Sequence, residues 1–82
     1  MGKPTSGQIR AARALLKWTA LDLAKRSKVG VATIRRAEVV EGELQLTEPN
    51  VIAIRVALEE AGIELIDANG GGEGVRLKKP ST

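Results

Sequence analysis

The sequence contains no cysteine and no histidine, no phenylalanine or tyrosine, and a single tryptophan, Trp18. Without Cys and His, zinc, haem and iron–sulfur centres lose their customary ligands, and imidazole acid–base chemistry and thiolate nucleophiles are unavailable. Most enzyme mechanisms are thereby excluded, and no cofactor is expected. There can be no disulfide framework, so nothing requires an oxidising compartment. Long hydrophobic runs are also missing: no apolar stretch approaches a membrane span, and the basic segment 1–13 carries no apolar signal core. The expectation is a soluble, cytoplasmic protein, and at 82 residues one small domain.

Acidic residues are almost absent from the first 36 positions, where Asp22 faces nine basic groups (Lys3, Arg10, Arg13, Lys17, Lys25, Arg26, Lys28, Arg35, Arg36). Residues 37–75 reverse the balance, with nine acids against Arg55 alone. A net charge of +3 therefore conceals two halves of opposite sign. Segregation on this scale points to a cationic face that meets a polyanion and an acidic half held away from it. The competing explanation for Arg35 and Arg36 is plain solvation of an exposed helix face.

The periodicity predicts four helices and a hairpin. Apolar Ile9, Ala12, Leu15 and Leu16 recur at helical spacing over Ser6–Lys17, and Thr5 with Gln8 three residues later has the form of a capping box. Thr19 can cap a second helix, Ala20–Ser27, with Leu21, Leu23 and Ala24 inward and Asp22 in the first turn. After a turn of about three residues a third helix runs over Val31–Val39, with Ile34 and Ala37 buried. The stretch 41–46 reads as polar and irregular. A fourth helix follows, capped by Thr47, with Pro49 in its first turn, Val51, Ile54, Leu58 and Ala61 on one face, and Gly62 as its stop. The period then becomes two: Ile63 and Leu65 flank Glu64, and Val75 and Leu77 flank Arg76, which predicts a β-hairpin around a glycine-rich loop over 68–74. The ends, 1–4 and 79–82, read as disordered.

Most other candidate chemistry dissolves on inspection. Gly70–Gly72 precedes a strand instead of opening a helix and adjoins Glu73, so loop flexibility is the better reading than a phosphate cradle. Thr5, Thr19 and Thr47 have no activating base and read as caps. Trp18, at a helix end beside Leu15 and Leu21, reads as a core plug.

The run Leu23–Glu38 resembles the helix-turn-helix of the Cro/C1-type (XRE, lambda-repressor-like) DNA-binding family, and with its flanks the resemblance covers residues 5–62. Ala24 is small where two helices would approach, Val29 would plug the turn, and Ile34 would anchor the third helix. Glu38 matches an acid that usually serves a structural ion pair. Lys28 replaces a customary turn Gly, which implies positive φ at a lysine; Gly30 replaces a Ser or Thr cap, and Ala20 a Gln that contacts the DNA backbone.

The resemblance implies a mainly α, compact four-helix DNA-binding domain over 1–62, followed by the hairpin 63–78 and a disordered tail 79–82. It implies that the third helix enters the major groove of double-stranded DNA through its N-terminal half and that Val31, Ala32, Thr33 and Arg36 face bases. Arg36 can bond guanine O6 and N7 together, whereas Val31 and Ala32 can meet only thymine methyls. Arg10, Lys25, Lys28 and Arg35 are the expected phosphate ligands. A lone hairpin is marginal in water and one short helix reads few base pairs, so a homodimer on an inverted repeat is expected, built from Ile54, Leu58, Ile63, Leu65, Val75 and Leu77. The expected role is a nucleoid-associated transcription regulator, in the first instance a repressor. With no room for a ligand-sensing domain, its control falls to concentration, proteolysis or a partner protein. The rival class is a protein-interaction module of antitoxin-like or antiactivator-binding kind, marked by an apolar patch that stays exposed.

Overall fold

The computed structural model describes residues 3–78. Four helices precede an antiparallel hairpin: α1 (Ser6–Leu16), α2 (Ala20–Ser27), α3 (Val31–Val39), α4 (Glu48–Glu60), β1 (Ile63–Ile66) and β2 (Gly74–Leu77). α1 starts where the capping box predicts, with Gln8 N–H donating to Thr5 Oγ1 at 3.1 Å and Thr5 N–H to Gln8 Oε1 at 2.9 Å. It ends one residue early, because Lys17 turns left-handed at φ 58° and Trp18 N–H reaches back to the Arg13 carbonyl at 2.9 Å. α2 has a second capping box, Thr19 with Asp22. Thr47 does stand at the N-cap of α4, but its side chain makes no capping hydrogen bond, so there the start rests on Pro49 and on packing.

The core gathers one face of each helix and of β1: Ile9 from α1, Leu23 from α2, Ile34 from α3, Ile54 and Leu58 from α4, and Ile63 from β1, all essentially inaccessible, with Val75 of β2 packed partly buried against them. Burying each such side chain is worth about 1.5–3 kcal/mol relative to leaving it exposed. α4 packs on α2 and β1, while α1 packs on α3 and β2, so the hairpin closes the core on two sides. In the hairpin Ile63 faces Leu77 and Leu65 faces Val75, and Glu64 pairs with Arg76 at 2.9 Å on the other face.

Several expectations need correction. Leu15 and Leu21 do not point inward; they are 42% and 46% exposed. The segment 41–46 is not featureless: Leu44 is buried, Glu43 bridges to Thr5, and Ser6 N–H donates to the Gly42 carbonyl at 2.8 Å. Pro4 is likewise held, buried and accepting from Leu44 N–H at 3.3 Å, while residues 1–2 and the expected tail 79–82 lie outside the described residues. Gln8 does more than cap, since its buried Nε2 donates to the carbonyls of Ile66 and Gly74 at 3.0 Å each and so pins the loop end of the hairpin to α1. Finally, Ile54, Leu58, Ile63 and Leu65 are consumed in the chain's own core and are not available to a second copy; of the six expected dimer residues only Val75 and Leu77 reach the surface. No helix among the described residues is long and apolar enough to cross a membrane.

Candidate nucleic-acid interface

The connection between α2 and α3 is built by backbone needs before any ligand is considered. α2 cannot continue past Ser27: Lys28 adopts φ 64° and ψ 19°, and its N–H closes the helix on the Ala24 carbonyl at 2.8 Å. Ser27 is buried, and its hydroxyl donates to the Leu23 carbonyl at 2.7 Å and accepts from Val29 N–H at 3.3 Å. Val29 drops into the core as the plug of the turn. Gly30 then stands at the N-cap of α3 with no side chain to offer, and its carbonyl accepts from Ile34 N–H at 3.1 Å.

α3 divides sharply into two faces. Ile34, Ala37 and Glu38 are buried, and Val31 is half-buried against the core. Ala32, Arg35, Arg36 and Val39, spaced i, i+3, i+4, i+7, are all exposed, so they form one continuous outer stripe. Thr33 lies at its flank, half-buried. Among the described residues neither the Arg35 nor the Arg36 side chain has an ion-pair or hydrogen-bond partner, and the same is true of the exposed side chains of Lys25 and Lys28. On α2 the neighbouring cation, Arg26, lies over the Trp18 ring at 5.1 Å, and Trp18 itself packs against the core as expected of a plug.

The far end of α3 is held by α1. Glu38 is only 7% exposed and receives a bidentate guanidinium, with Arg13 Nε to Oε2 at 2.8 Å and Nη2 to Oε1 at 2.7 Å. The same Arg13 donates through Nη1 to the Trp18 carbonyl at 3.0 Å. Its hydrogen bonds to Glu38 raise the guanidinium pKa further above the ordinary arginine value, against a smaller opposing effect of burial. Arg10 donates from Nη1 to the Glu38 carbonyl, satisfying an orphan acceptor in the last turn of α3, and its Nη2 lies 3.8 Å from Glu41. Arg10, an expected phosphate ligand, is therefore already engaged within the chain.

The sequence reading brought Val31, Ala32, Thr33, Arg35 and Arg36 to one helix, but it missed Val39 on the same stripe. The spacing from Ala32 was the available signal. An open groove of about 360 Å³ between the start of α1 and the hairpin loop is lined by Lys3, Thr5, Gln8, Asp67, Ala68 and Glu73. Its one hydroxyl, Thr5 Oγ1, is committed as an acceptor in the cap of α1, and no group of three possible metal ligands forms among the described residues. Set against known protein-family models and curated proteins, the chain finds no match.

Proposed function

We propose that the chain is a sequence-specific, double-stranded DNA-binding transcription regulator of Cro/C1 helix-turn-helix type, with α3 as its recognition helix. The observation that carries this reading is the outer stripe of α3, where Arg35 and Arg36 are exposed and uncommitted beside Ala32. A helix whose guanidinium groups served stability would pair them, as Arg13 is paired; unpaired cations on a rigid face suit an external polyanion. Lys25 and Lys28 extend the same charge along α2 and the turn and suit phosphates, which fix register without reading sequence. Arg36 suits guanine, while the exposed Ala32 and the accessible part of Val31 suit thymine methyls.

A repressor acting as a homodimer on an inverted repeat remains the favoured form, because one short helix spans few base pairs. Its contact falls to Leu77, Val75 and the open edge of β2 now that the other apolar residues are accounted for internally. A second reading, a protein-interaction module, is favoured by one feature: Ile52 and Val56 are exposed at i, i+4 on α4, with Glu48, Glu59 and Glu60 on the same side.

Selection of bound fragments from random DNA at two salt concentrations separates the readings. An enriched palindrome, and a binding constant that falls with salt with a slope of about −0.9 per neutralised phosphate, is the expected result. No enrichment over input, or enrichment unchanged in an Arg35→Ala/Arg36→Ala variant, overturns the proposal in favour of the interaction module.

A further inference from the structure

We infer that Asn69 is a site of spontaneous covalent modification, at which the Gly70 backbone nitrogen displaces ammonia from the Asn69 side chain and water then leaves a carboxylate in the hairpin loop. This goes beyond the DNA-binding reading and does not depend on it. Displacement needs an amide side chain free to fold onto its own main chain and a following N–H that is neither hydrogen-bonded nor shielded. The chain holds two asparagines, Asn50 and Asn69, and the fold treats them differently. Asn69 lies within 67–73, where every residue is exposed, and neither its side chain nor the Gly70 N–H makes a hydrogen bond among the described residues. At Gly70 no side chain screens the nitrogen, and the place a Cβ would occupy has nothing within 4 Å. Asn50 is half-buried in the first turn of α4, and the nitrogen that would attack there, that of buried Val51, donates to the Thr47 carbonyl at 3.0 Å. The stiff, branched Val51 side chain crowds the same approach. One asparagine is open to cyclisation and the other is closed.

The step needs no co-reactant but water. The Gly70 nitrogen gives its proton to hydroxide and bonds to Asn69 Cγ; the side-chain Cγ–N bond breaks, and ammonia departs with a proton from water, which regenerates the hydroxide and leaves a five-membered imide. Water reopens the ring at either carbonyl. Opening at Cγ gives an aspartate, and opening at the main-chain carbonyl gives an isoaspartate, whose chain runs through Cβ and is longer by one carbon. Either product puts a carboxylate where a neutral amide stood, between Asp67 and Glu73. The fold can absorb the change, because Gln8 Nε2 grips the Ile66 and Gly74 carbonyls and those two residues face each other at the last rung before the loop. The added charge and carbon stay on the far side of that clamp from the core. Modified and unmodified chains therefore share one fold and differ by one negative charge.

The test incubates the folded full chain in neutral buffer and maps both asparagines by peptide mass spectrometry, beside a free peptide spanning 67–74. Asn69 is expected to gain the amide-to-acid mass difference as a mixture of aspartate and isoaspartate, at a rate close to that of the peptide, while Asn50 stays intact. Ion exchange then resolves a species with one more negative charge, whose melting temperature matches that of the parent. Asn69→Gln, in which the longer side chain closes its ring far more slowly, removes that species. An intact Asn69 in the folded chain while the peptide converts, conversion to aspartate alone, equal conversion at Asn50, or a charged species that persists in Asn69→Gln overturns the inference. A modified chain that melts well below the parent overturns the part assigned to the Gln8 clamp.

Discussion

Two pairs of arginines in this small domain are used in opposite ways. On α1, Arg10 and Arg13 are spent internally: one bonds the Glu38 carbonyl and approaches Glu41, the other grips the Glu38 carboxylate with two short hydrogen bonds. On α3, Arg35 and Arg36 are exposed and engage nothing among the described residues. Both pairs belong to the same basic stretch and cannot be told apart by composition. The difference teaches that a charge-rich segment has to be sorted by commitment before it is read as an interface. A guanidinium already paired in a half-buried site must surrender that pair to reach a ligand, whereas a solvated one gives up only water.

Arg13→Ala is the strongest way to break the comparison. It leaves the Glu38 carboxylate nearly buried without its partner and frees the Trp18 carbonyl, so stability falls by about 3 kcal/mol. In a domain of this size the melting temperature drops by about 15 °C. Affinity for DNA, measured well below that melting point, changes little, because Arg13 faces inward. A large loss of affinity with stability intact would place Arg13 among the ligand-binding groups and erase the distinction.

Arg36→Ala sharpens the other side. Thermal stability should stay within about 0.5 kcal/mol of the parent, as for an exposed residue without partners. Discrimination at one base pair of the half-site should fall by about 1–3 kcal/mol, seen as a relaxed preference for guanine in a repeated selection. A preference that survives the substitution assigns guanine to another residue.

What could be read in advance follows from the range over which each feature is determined. Helix starts and stops came through because caps are local: Thr5 with Gln8, Thr19 with Asp22, and Gly62 act within a few residues. The outer stripe of α3 was legible in part, since spacing alone puts Ala32, Arg35 and Arg36 together. The commitment of Arg10 and Arg13 was not, because their partners lie 28 and 25 residues away. The clamp from Gln8 to the hairpin spans 58 and 66 residues and has no local signature. Apolar periodicity marks a buried face without saying what buries it. Hence Ile54, Leu58, Ile63 and Leu65 read equally well as dimer surface, and Leu15 and Leu21 as core.

A smaller effect comes from the two lysines held at positive φ, Lys17 at 58° and Lys28 at 64°. A left-handed conformation costs a residue with a Cβ about 1 kcal/mol that glycine does not incur. Lys17→Gly and Lys28→Gly should therefore both stabilise the fold by about that amount in a denaturant titration. Only Lys28→Gly should also flatten the salt dependence of DNA binding, by about one unit of slope, if the turn contacts phosphate. Identical slopes for the two variants would remove Lys28 from the interface while leaving the backbone explanation untouched.

The finest comparison concerns Asp22, the one acid among the first 36 residues. Its carboxylate accepts from Thr19 N–H at 2.9 Å, and the bonds to Thr19 hold its pKa below the ordinary aspartate value, with Lys25 and Arg26 adding lesser support. Because the folded-state pKa is the lower one, the contribution of Asp22 is complete above the unfolded-state pKa and is lost as pH falls through the folded-state value. Asp22→Asn should therefore trim stability at neutral pH and flatten the acid limb of a stability–pH profile, leaving the alkaline limb alone. Removing a negative charge beside Lys25 and Arg26 should at the same time raise affinity for DNA slightly at low salt, an advantage that disappears as screening increases. A charge invested in a cap thus acts on the fold and the cationic face with opposite signs, and the two readouts together separate its local bond from its field.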